Sequence, residues 1–210
     1  MPDIIEIMKS VGAVMTDDHF VYTSGLHGEV YINKDALYPH TELTSQVGEM
    51  FAERHKDLDI ETVVAPALGG IILSQWTAYH LSKMMGKEVF GIYTEKDENK
   101  NQILTRGYDK YVNNGQRTLV IEDLTNTGGS VKKVIENVKA TGANVVAACV
   151  MVNRDPGNVN SEMMGVPFTS LGELVAKAYK EDELPEEIAN RPINTKVGHG
   201  RKYLEAKLKS

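Results

Sequence analysis

Between residues 61 and 154 the sequence alternates short, nearly continuous apolar runs with segments of helical periodicity. The apolar runs are ETVVAPALGG (61–70), EVFGIY (88–93), TLVIED (118–123) and NVVAACVMVNR (144–154). Strands that are apolar on both faces and alternate with helices are typical of a parallel sheet covered by helices on both sides. The sequence therefore predicts an α/β fold with a doubly wound, mainly parallel sheet.

The composition is that of a globular protein with one domain and an appendage, or with two small domains. The chain has 210 residues, of which 41% are hydrophobic, and this is enough for a sizeable core. A formal net charge of −6 argues against nucleic acid or an anionic membrane as a partner. No apolar run approaches the ~20 residues that cross a bilayer, and the acidic N-terminus does not resemble a signal peptide. We therefore expect a cytoplasmic protein without a membrane partner.

The single cysteine, Cys149, lies within the apolar run VVAACVMV. One cysteine allows no disulfide within the chain, which suits a reducing compartment. We interpret Cys149 as a thiol of the core rather than as a nucleophile.

Other segments are predicted from local patterns. The segments HFVYT (19–23) and EVYINKD (29–35) resemble two strands joined by SGLHG, which predicts a hairpin with His27 on its surface. Residues 167–180 read as a short strand followed by a helix. The segment 94–117 is long and polar, and a loop or hairpin arm of this length is usually either functional or disordered. Helical periodicity or helix-end signals predict helices at 3–13, 41–56, 71–86 and 130–143.

Three polar or glycine-rich segments follow the predicted strands. They are PALGG after the first strand, LTNTGGS after the third and NRDPG after the fourth. Ligands of open parallel sheets bind beyond the carboxyl ends of the strands, and right-handed connections place these ends along one edge. The three segments are therefore expected to converge on one binding site.

The stretch VIEDLTNTGGS (120–130) combines two kinds of ligand-binding group. Its hydroxyls, its glycines and the start of the following helix could form a phosphate cradle, although the lysine of a Walker A loop is absent. The adjacent acids Glu122 and Asp123 would repel phosphate, but they could accept hydrogen bonds from sugar hydroxyls or face a divalent metal through water. The pattern favours a phosphorylated sugar as ligand. A capped turn with solvated acids is the alternative.

These segments, taken together, resemble a known family. VIEDLTNTGGS is similar to the phosphoribosyl pyrophosphate (PRPP) signature of the type I phosphoribosyltransferases. TSGLHGEVYINKDALYPH, VVAPALGGI, YTEKDENKNQILTRGY and NRDPG resemble, in order, the N-terminal segment, the pyrophosphate loop, the mobile catalytic loop and the base-binding segment of orotate phosphoribosyltransferases. The resemblance runs over roughly residues 3 to 180.

The resemblance implies an enzyme that transfers the 5-phosphoribosyl group from PRPP to orotate with the help of Mg²⁺. It implies an N-terminal hood that contributes to base binding (1–40) and a phosphoribosyltransferase core (41–180), followed by a tail of unassigned role (181–210). It also implies a homodimer in which the loop 94–110 is shared between subunits. No protein ligand of Mg²⁺ is implied directly, because the metal would be carried by PRPP near Glu122 and Asp123.

The resemblance also assigns roles to individual residues. The catalytic residues would be Lys96, Arg106 and Asp123. PRPP would be bound by Lys34, Ala67, Leu68, Gly69, Glu122, Asp123, Leu124, Thr125, Asn126, Thr127, Gly128, Gly129 and Ser130. Orotate would be bound by Tyr31, Asn126 and Arg154, with the arginine paired to the substrate carboxylate.

The sequence departs from the family pattern at three named positions. Asn126 replaces a usual threonine, and Thr23 and Gly69 stand where related enzymes carry lysines. These changes leave two alternatives open, which are the same chemistry on another nucleobase and a non-catalytic nucleotide sensor on the same fold. Lys96 and Arg106 on a long loop favour an enzyme, because a sensor has no need of cations on a lid. The sequence assigns no role to His199 in the tail.

Overall fold

The protein is built around a six-stranded sheet in a computed structural model that describes residues 3–22 and 24–208. The strands are β1 (Val14–Met15), β2 (Phe20–Val21), β3 (His27–Gly28), β4 (Tyr31–Ile32), β5 (Thr62–Pro66), β6 (Phe90–Lys96), β7 (Gln102–Ile103), β8 (Arg117–Thr125), β9 (Asn144–Asn153) and β10 (Phe168–Glu173). The helices are α1 (Ile4–Ser10), α2 (Thr41–His55), α3 (Gly69–Met85), α4 (Gly129–Ala140), α5 (Ser161–Met164), α6 (Glu186–Ala189) and α7 (Gly200–Lys207).

None of the helices formed by residues 3–22 and 24–208 combines the length and the apolar character that crossing a bilayer requires. Thr23, where related enzymes carry lysine, lies outside the described residues.

The central sheet has the strand order β10-β9-β8-β5-β6-β7. All neighbouring strands in it are parallel except β7, which runs antiparallel to β6. Strands β5, β8 and β9 lie side by side in the middle of the sheet. Their carboxyl ends therefore share one edge.

Successive residues of the central strands pack into two separate apolar clusters. In β5, Val63 packs with buried residues of α2 and α3, whereas its neighbour Val64 packs with buried residues of α4. In β9, Cys149 and Val150 divide between the same two clusters. Because successive strand residues point to opposite faces, the helices cover both faces of the sheet. The predicted doubly wound α/β fold is confirmed, and burial of the Cys149 thiol in the core raises its pKa to about 11.

The helix ends follow local chemistry. The Asp3 carboxylate caps α1 by accepting a hydrogen bond of 2.8 Å from the Ile5 amide. Helix α1 stops at Ser10, earlier than predicted, and Gly12 follows in a left-handed conformation with φ of +69°. Gly86 ends α3 with φ of +65°, as the sequence predicted.

The predicted hairpin between residues 19–23 and 29–35 is wrong in its pairing. Strand β2 pairs instead with β3, which lies in the segment predicted as the turn, and β4 pairs with β1. His27 is consequently buried rather than on the surface, with 1% of its area exposed. Its Nδ1 lies 2.8 Å from Nε2 of His19, which is also buried.

The helix predicted after the strand in 167–180 is also wrong. Residues 174–180 form no helix, and Tyr179 exchanges two backbone hydrogen bonds with His27, of 2.8 and 2.9 Å. These bonds hold the segment against β3. Backbone groups that bond to a neighbouring strand are no longer free for the hydrogen bonds of a helix.

The C-terminal tail packs against the N-terminal segment. The Asn194 amide donates to the His19 carbonyl, and the His199 amide donates to the Val21 carbonyl, both at 2.8 Å. The ring of Tyr203 in α7 contacts His27 edge-on, with the ring centroids 5.0 Å apart. The tail is therefore tied to β2 and β3 by backbone bonds and by an aromatic contact.

The buried histidines make stability depend on pH. The pKa of His27 is lowered from 6.5 by burial and by His19; Glu181 opposes this lowering and Lys207 adds to it. Burial lowers the pKa of His55 too. The unfolded chain therefore takes up these protons at higher pH than the folded chain. We expect the contribution of these neutral histidines to the free energy of unfolding to be complete above pH 6.5. This contribution should be lost as the pH falls from 6.5 through the lowered pKa values.

Urea unfolding between about pH 8 and about pH 5 would measure this loss. The variant His27→Gln cannot take up a proton in this range, so its unfolding free energy should fall less steeply with pH than that of the wild type. Equal slopes for the two proteins would contradict the assignment to His27.

Candidate active site

The three polar segments predicted to converge do so at the carboxyl edge of β5, β8 and β9. In the register of β8 and β9, Thr125 is paired with Asn153. The Arg154 amide then donates to the Thr125 carbonyl at 2.9 Å, so the two strand ends are joined. After β5, the Ala67 amide donates to the Thr94 carbonyl at 2.8 Å, which holds the predicted pyrophosphate loop against β6. The convergence predicted from the sequence is confirmed.

Asp123 is the most heavily bonded side chain at this edge. One of its carboxylate oxygens accepts from Lys34 Nζ at 2.5 Å and from the Tyr38 hydroxyl at 3.1 Å, and the other accepts from the Leu124 amide at 2.6 Å. Asp123 is 4% exposed, so these donors compensate for the loss of water around a buried carboxylate. Burial, followed by the effect of Asp123, raises the pKa of Tyr38, which keeps its hydroxyl as a donor. No pattern in the sequence indicated this role of Tyr38.

The absence of a side chain at Gly69 makes room for this arrangement. A Cβ on Gly69 would overlap the Asp123 carboxylate and would lie 2.7 Å from both Lys34 Nζ and the Tyr38 hydroxyl. A lysine at position 69, as in related enzymes, could not share this space with Lys34 in its present position. In this chain the ammonium group beside Asp123 is that of Lys34, which comes from a different part of the chain, and position 69 is a glycine.

Glu122 and Asp123 are adjacent in β8 and point to opposite faces of the sheet. Burial raises the pKa of the half-buried Glu122 to about 8, and repulsion from Asp123 adds to this, while Lys34 and Lys96 oppose it. The two acids that look equivalent in the sequence thus differ in environment. Asp123 is bonded to a cation, whereas the carboxylate form of Glu122 is disfavoured.

The hydroxyl- and glycine-rich loop 125–130 connects β8 to α4. Gly128 has φ of +72°, and its amide donates to the Thr125 hydroxyl at 2.9 Å. A Cβ on Gly128 would lie within 2.9 Å of the ends of the Met163 and Met164 side chains, which would have to move, and the left-handed φ itself favours glycine. Asn126 and Thr127 are exposed, and α4 starts with free amides at Gly129. Exposed hydroxyl, amide and helix N-terminal groups of this kind can bind a phosphate.

A cavity of about 700 Å³ lies next to this loop. Tyr31, Asn126 and Arg154, the three residues predicted to bind orotate, all line it. The other lining residues are Tyr22, Ser24, Val30, Ile32, Asp155, Ala176, Ala178, Gly198 and His199. Nε of Arg154 is buried and has no hydrogen-bond partner among residues 3–22 and 24–208. A buried guanidinium nitrogen without a partner is the feature expected where a ligand supplies the acceptor.

The remaining predicted residues lie on the hairpin that β6 and β7 form. Lys96 is exposed at the end of β6, close enough to Glu122 to influence its pKa. The Arg106 guanidinium binds the Glu95 carboxylate through contacts of 2.9 and 3.3 Å. Lys133 in α4 donates to the Lys100 carbonyl at 2.8 Å, which holds the tip of the hairpin on its own subunit. Neither Lys96 nor Arg106 lines the cavity.

Residues 3–22 and 24–208 form no complete metal site at this edge. In the part of the chain that the structure describes, no group of three or more His, Cys, Asp or Glu side chains could hold a metal ion. The site instead offers cations, hydroxyls and backbone amides, which suit an anionic ligand with phosphate groups.

Comparison with known proteins identifies the family. The model of the phosphoribosyl transferase domain matches residues 33–166. The chain is 39% identical to an orotate phosphoribosyltransferase of Thermotoga maritima over 182 residues, which are 87% of this chain and 90% of the relative. The chain belongs to the phosphoribosyltransferase family, within its orotate phosphoribosyltransferase branch.

Solved structures agree with this assignment. An orotate phosphoribosyltransferase of Aeropyrum pernix matches with a TM-score of 0.61 and 25% identity, over 81% of this chain and 93% of that one. An orotate phosphoribosyltransferase of Mycobacterium tuberculosis in complex with PRPP shares the fold, with a TM-score of 0.60 and 21% identity, over 82% of this chain and 97% of that one. The matched phosphoribosyltransferase domain includes Lys34, the loop 125–130 and Arg154, but it excludes Tyr31, Ala176 and His199 of the cavity.

The pairing of Lys34 with Asp123 makes a prediction about stability. The variant Lys34→Met would leave the buried Asp123 carboxylate with one donor fewer, which should cost about 1–3 kcal/mol of unfolding free energy. The control Lys56→Met makes the same substitution in the pair with Glu53, whose side chain is 41% exposed against 6% for Asp123. That control should cost at most about 1 kcal/mol.

Chemical denaturation of both variants and of the wild type measures the difference. A double variant, Lys34→Met with Asp123→Asn, should recover part of the loss because the uncompensated charge is gone. Equal stability of Lys34→Met and Lys56→Met would show that the Asp123 carboxylate does not depend on Lys34.

Proposed function

We propose that the protein is an orotate phosphoribosyltransferase, which transfers the 5-phosphoribosyl group from PRPP to orotate and releases diphosphate. The observation that carries this proposal is the cavity where Arg154, with its partnerless buried Nε, meets Tyr31 and Asn126 beside the loop 125–130. A guanidinium facing a cavity suits a carboxylate, which orotate has and uracil lacks. The names of the relatives support the same acceptor.

The PRPP site would be formed by the edge of the sheet. The exposed amides and hydroxyls of the loop 125–130 would bind the 5′-phosphate. Asp123, held by Lys34 and Tyr38, would accept from the ribose hydroxyls if the ligand exchanges places with one of these donors. The backbone amides of Leu68 and Gly69 would face the diphosphate, while the Ala67 amide, bonded to the Thr94 carbonyl, holds the loop in place.

The reaction forms a bond from a ring nitrogen of orotate to C1 of the ribose and breaks the bond from C1 to the diphosphate oxygen, and the nitrogen loses its proton. Positive charge develops on the ribose while negative charge develops on the leaving diphosphate. Lys96 and Arg106 would stabilise the leaving group if the hairpin closes over it, with Arg106 exchanging Glu95 for the diphosphate. Closure would also exclude water from the reacting atoms.

We propose Mg²⁺ as the metal that accompanies PRPP. PRPP would carry this metal near Glu122 and Asp123, and a nearby cation would favour the carboxylate form of Glu122 that burial disfavours. With no complete protein site in the described residues, the diphosphate would provide ligands to the ion. The chemistry supplied by bound Mg²⁺ is neutralisation of charge on the diphosphate.

The first test is diphosphate release from PRPP in the presence of orotate and Mg²⁺. We expect release with orotate, little release with uracil, and loss of release when a chelator removes the metal. Release with another base and not with orotate would overturn the choice of acceptor. If PRPP binds but no base causes release of diphosphate, the proposal that the protein is an enzyme would be overturned.

The variant Arg154→Ala serves as the control for the acceptor. Loss of a hydrogen bond to a charged group should raise KM for orotate by about 10- to 150-fold. The same variant should affect any residual transfer to uracil much less, because uracil has no carboxylate to pair. If the variant keeps the wild-type preference for orotate over uracil, Arg154 does not bind the base.

We also propose a homodimer in which the hairpin reaches the neighbouring site. The exposed face of α3 and its preceding loop carries Leu68, Ile72 and Tyr79 at helical spacing, with Leu68 83% and Tyr79 50% exposed. Exposed apolar residues on one helix face are typical of a protein interface. Neither Lys96 nor Arg106 lines the cavity of its own subunit. To act on the neighbouring site, the hairpin would have to release the bond from Lys133 to the Lys100 carbonyl.

Complementation between two inactive variants tests the shared hairpin. Arg106→Ala lacks the loop cation and Asp123→Asn lacks the ribose contact, and each should be nearly inactive alone. If the hairpin acts across the interface, a refolded equal mixture should recover about one quarter of the wild-type activity, because half the dimers are mixed and each has one intact site. No recovery from a mixture shown to contain mixed dimers would place the hairpin on its own site.

A further inference from the structure

The C-terminal tail forms part of the wall of the cavity. Gly198 and His199 line it together with Tyr31, Asn126 and Arg154. The matched phosphoribosyltransferase domain ends at residue 166, so this part of the wall lies outside it. The cavity is therefore completed by a segment distant in sequence from the rest of the site.

The tail is held at the cavity by a set of specific hydrogen bonds. Its backbone pairs with the segment around β2 through Asn194 and His199, which donate to His19 and Val21. The Asn194 side chain donates to Asp18 at 2.6 Å, and its oxygen accepts from two following amides, at 2.9 and 3.1 Å. This turn directs residues 198 and 199 toward the cavity. A segment with so many backbone partners has a defined position.

Gly198 allows the tail to lie directly against the cavity wall. It has φ of +70°, and a Cβ there would lie 2.8 Å from the Val21 carbonyl oxygen and 3.5 Å from the Tyr31 ring. A larger residue would be strained by its backbone and would push the tail away from Tyr31. The close approach at Gly198 is thus what brings His199 to the cavity.

The polar groups of the cavity differ in their freedom to bind a ligand. The Tyr22 hydroxyl already donates to the Val30 carbonyl at 2.6 Å. Arg154 Nε has no partner among the described residues, as a carboxylate-binding group would require. The half-buried His199 adds an imidazole, which can donate to a ring carbonyl or accept from a ring N–H. These groups suit a flat, anionic heterocycle with a carboxylate at one position and polar edge groups at others.

We propose that His199 is a binding residue for the acceptor base, and that the tail segment 191–200 completes the base pocket over the N-terminal strands. The proposal rests on the proposed function for the identity of the base. It assigns the tail to recognition of the acceptor and not to binding of PRPP.

Steady-state kinetics of His199→Ala test the proposal. Loss of one hydrogen bond to the base should raise KM for orotate about 3- to 10-fold, while kcat and KM for PRPP stay near the wild-type values. His199→Asn keeps a donor and an acceptor and should recover part of the loss. Lys202→Ala, an exposed substitution in α7 away from the cavity, is the matched control and should behave as wild type.

Gly198→Val provides a second, independent variant that displaces the segment instead of removing the ring. It should raise KM for orotate at least as much as His199→Ala, and a thermal melt of each variant checks that the protein remains folded. An unchanged KM for orotate in folded His199→Ala and Gly198→Val would overturn the proposal. Equal increases in the KM values for orotate and PRPP would also overturn it, because the effect would then not be specific to the base.

The wild-type assay separates this result from failure of the proposed function. If the wild type transfers to orotate and the tail variants are unaffected, the inference fails and the function stands. If the wild type transfers only to another base, the choice of orotate fails and the variants are measured with that base. If the wild type transfers the phosphoribosyl group to no base and does not bind orotidine 5′-phosphate in calorimetry, both the proposed function and the role of His199 are overturned.

Discussion

A buried carboxylate at the end of β8 connects the parts of this protein that form the site. Asp123 receives hydrogen bonds from Lys34 and Tyr38 of the N-terminal segment and leaves no space for a side chain at Gly69. An ionised carboxylate cannot remain buried without such donors, so the N-terminal segment must lie against this edge of the sheet. The same interaction places a cation beside the loops that would bind the phosphates.

The acid pair of β8 shows how neighbouring residues of one type acquire different properties. Strand geometry turns Glu122 and Asp123 to opposite faces. Glu122 loses water, and Lys34 and Lys96 only partly offset this loss, whereas Asp123 is paired directly with Lys34. A nearby cation would favour the carboxylate of Glu122, while Asp123 is already paired. A ligand that brings both hydroxyls and a metal to this edge would therefore affect the two acids differently.

The cavity is assembled from three regions of the chain. The N-terminal strands contribute Tyr31, the ends of β8 and β9 contribute Asn126 and Arg154, and the last segments contribute Ala176 and His199. The buried His19 and His27 lie where the N-terminal strands meet the tail. The packing of the tail is thus coupled to the part of the pocket formed by the N-terminal strands, and both are separate in sequence from the parallel sheet.

The sequence by itself determined the sheet, the helices on its two faces and the convergence of the three strand-end loops. These follow from local apolar patterns and from the regular geometry of parallel strands, which need no knowledge of distant contacts. It also placed Tyr31, Asn126 and Arg154 together, through the order of motifs resembling one family. Only the tertiary structure decided the pairing of β2 with β3, the extended path after β10 and the position of His199. Each of these depends on backbone hydrogen bonds between segments far apart in the chain, such as Tyr179 with His27 and His199 with Val21, and such bonds leave no periodic pattern in the residues that make them.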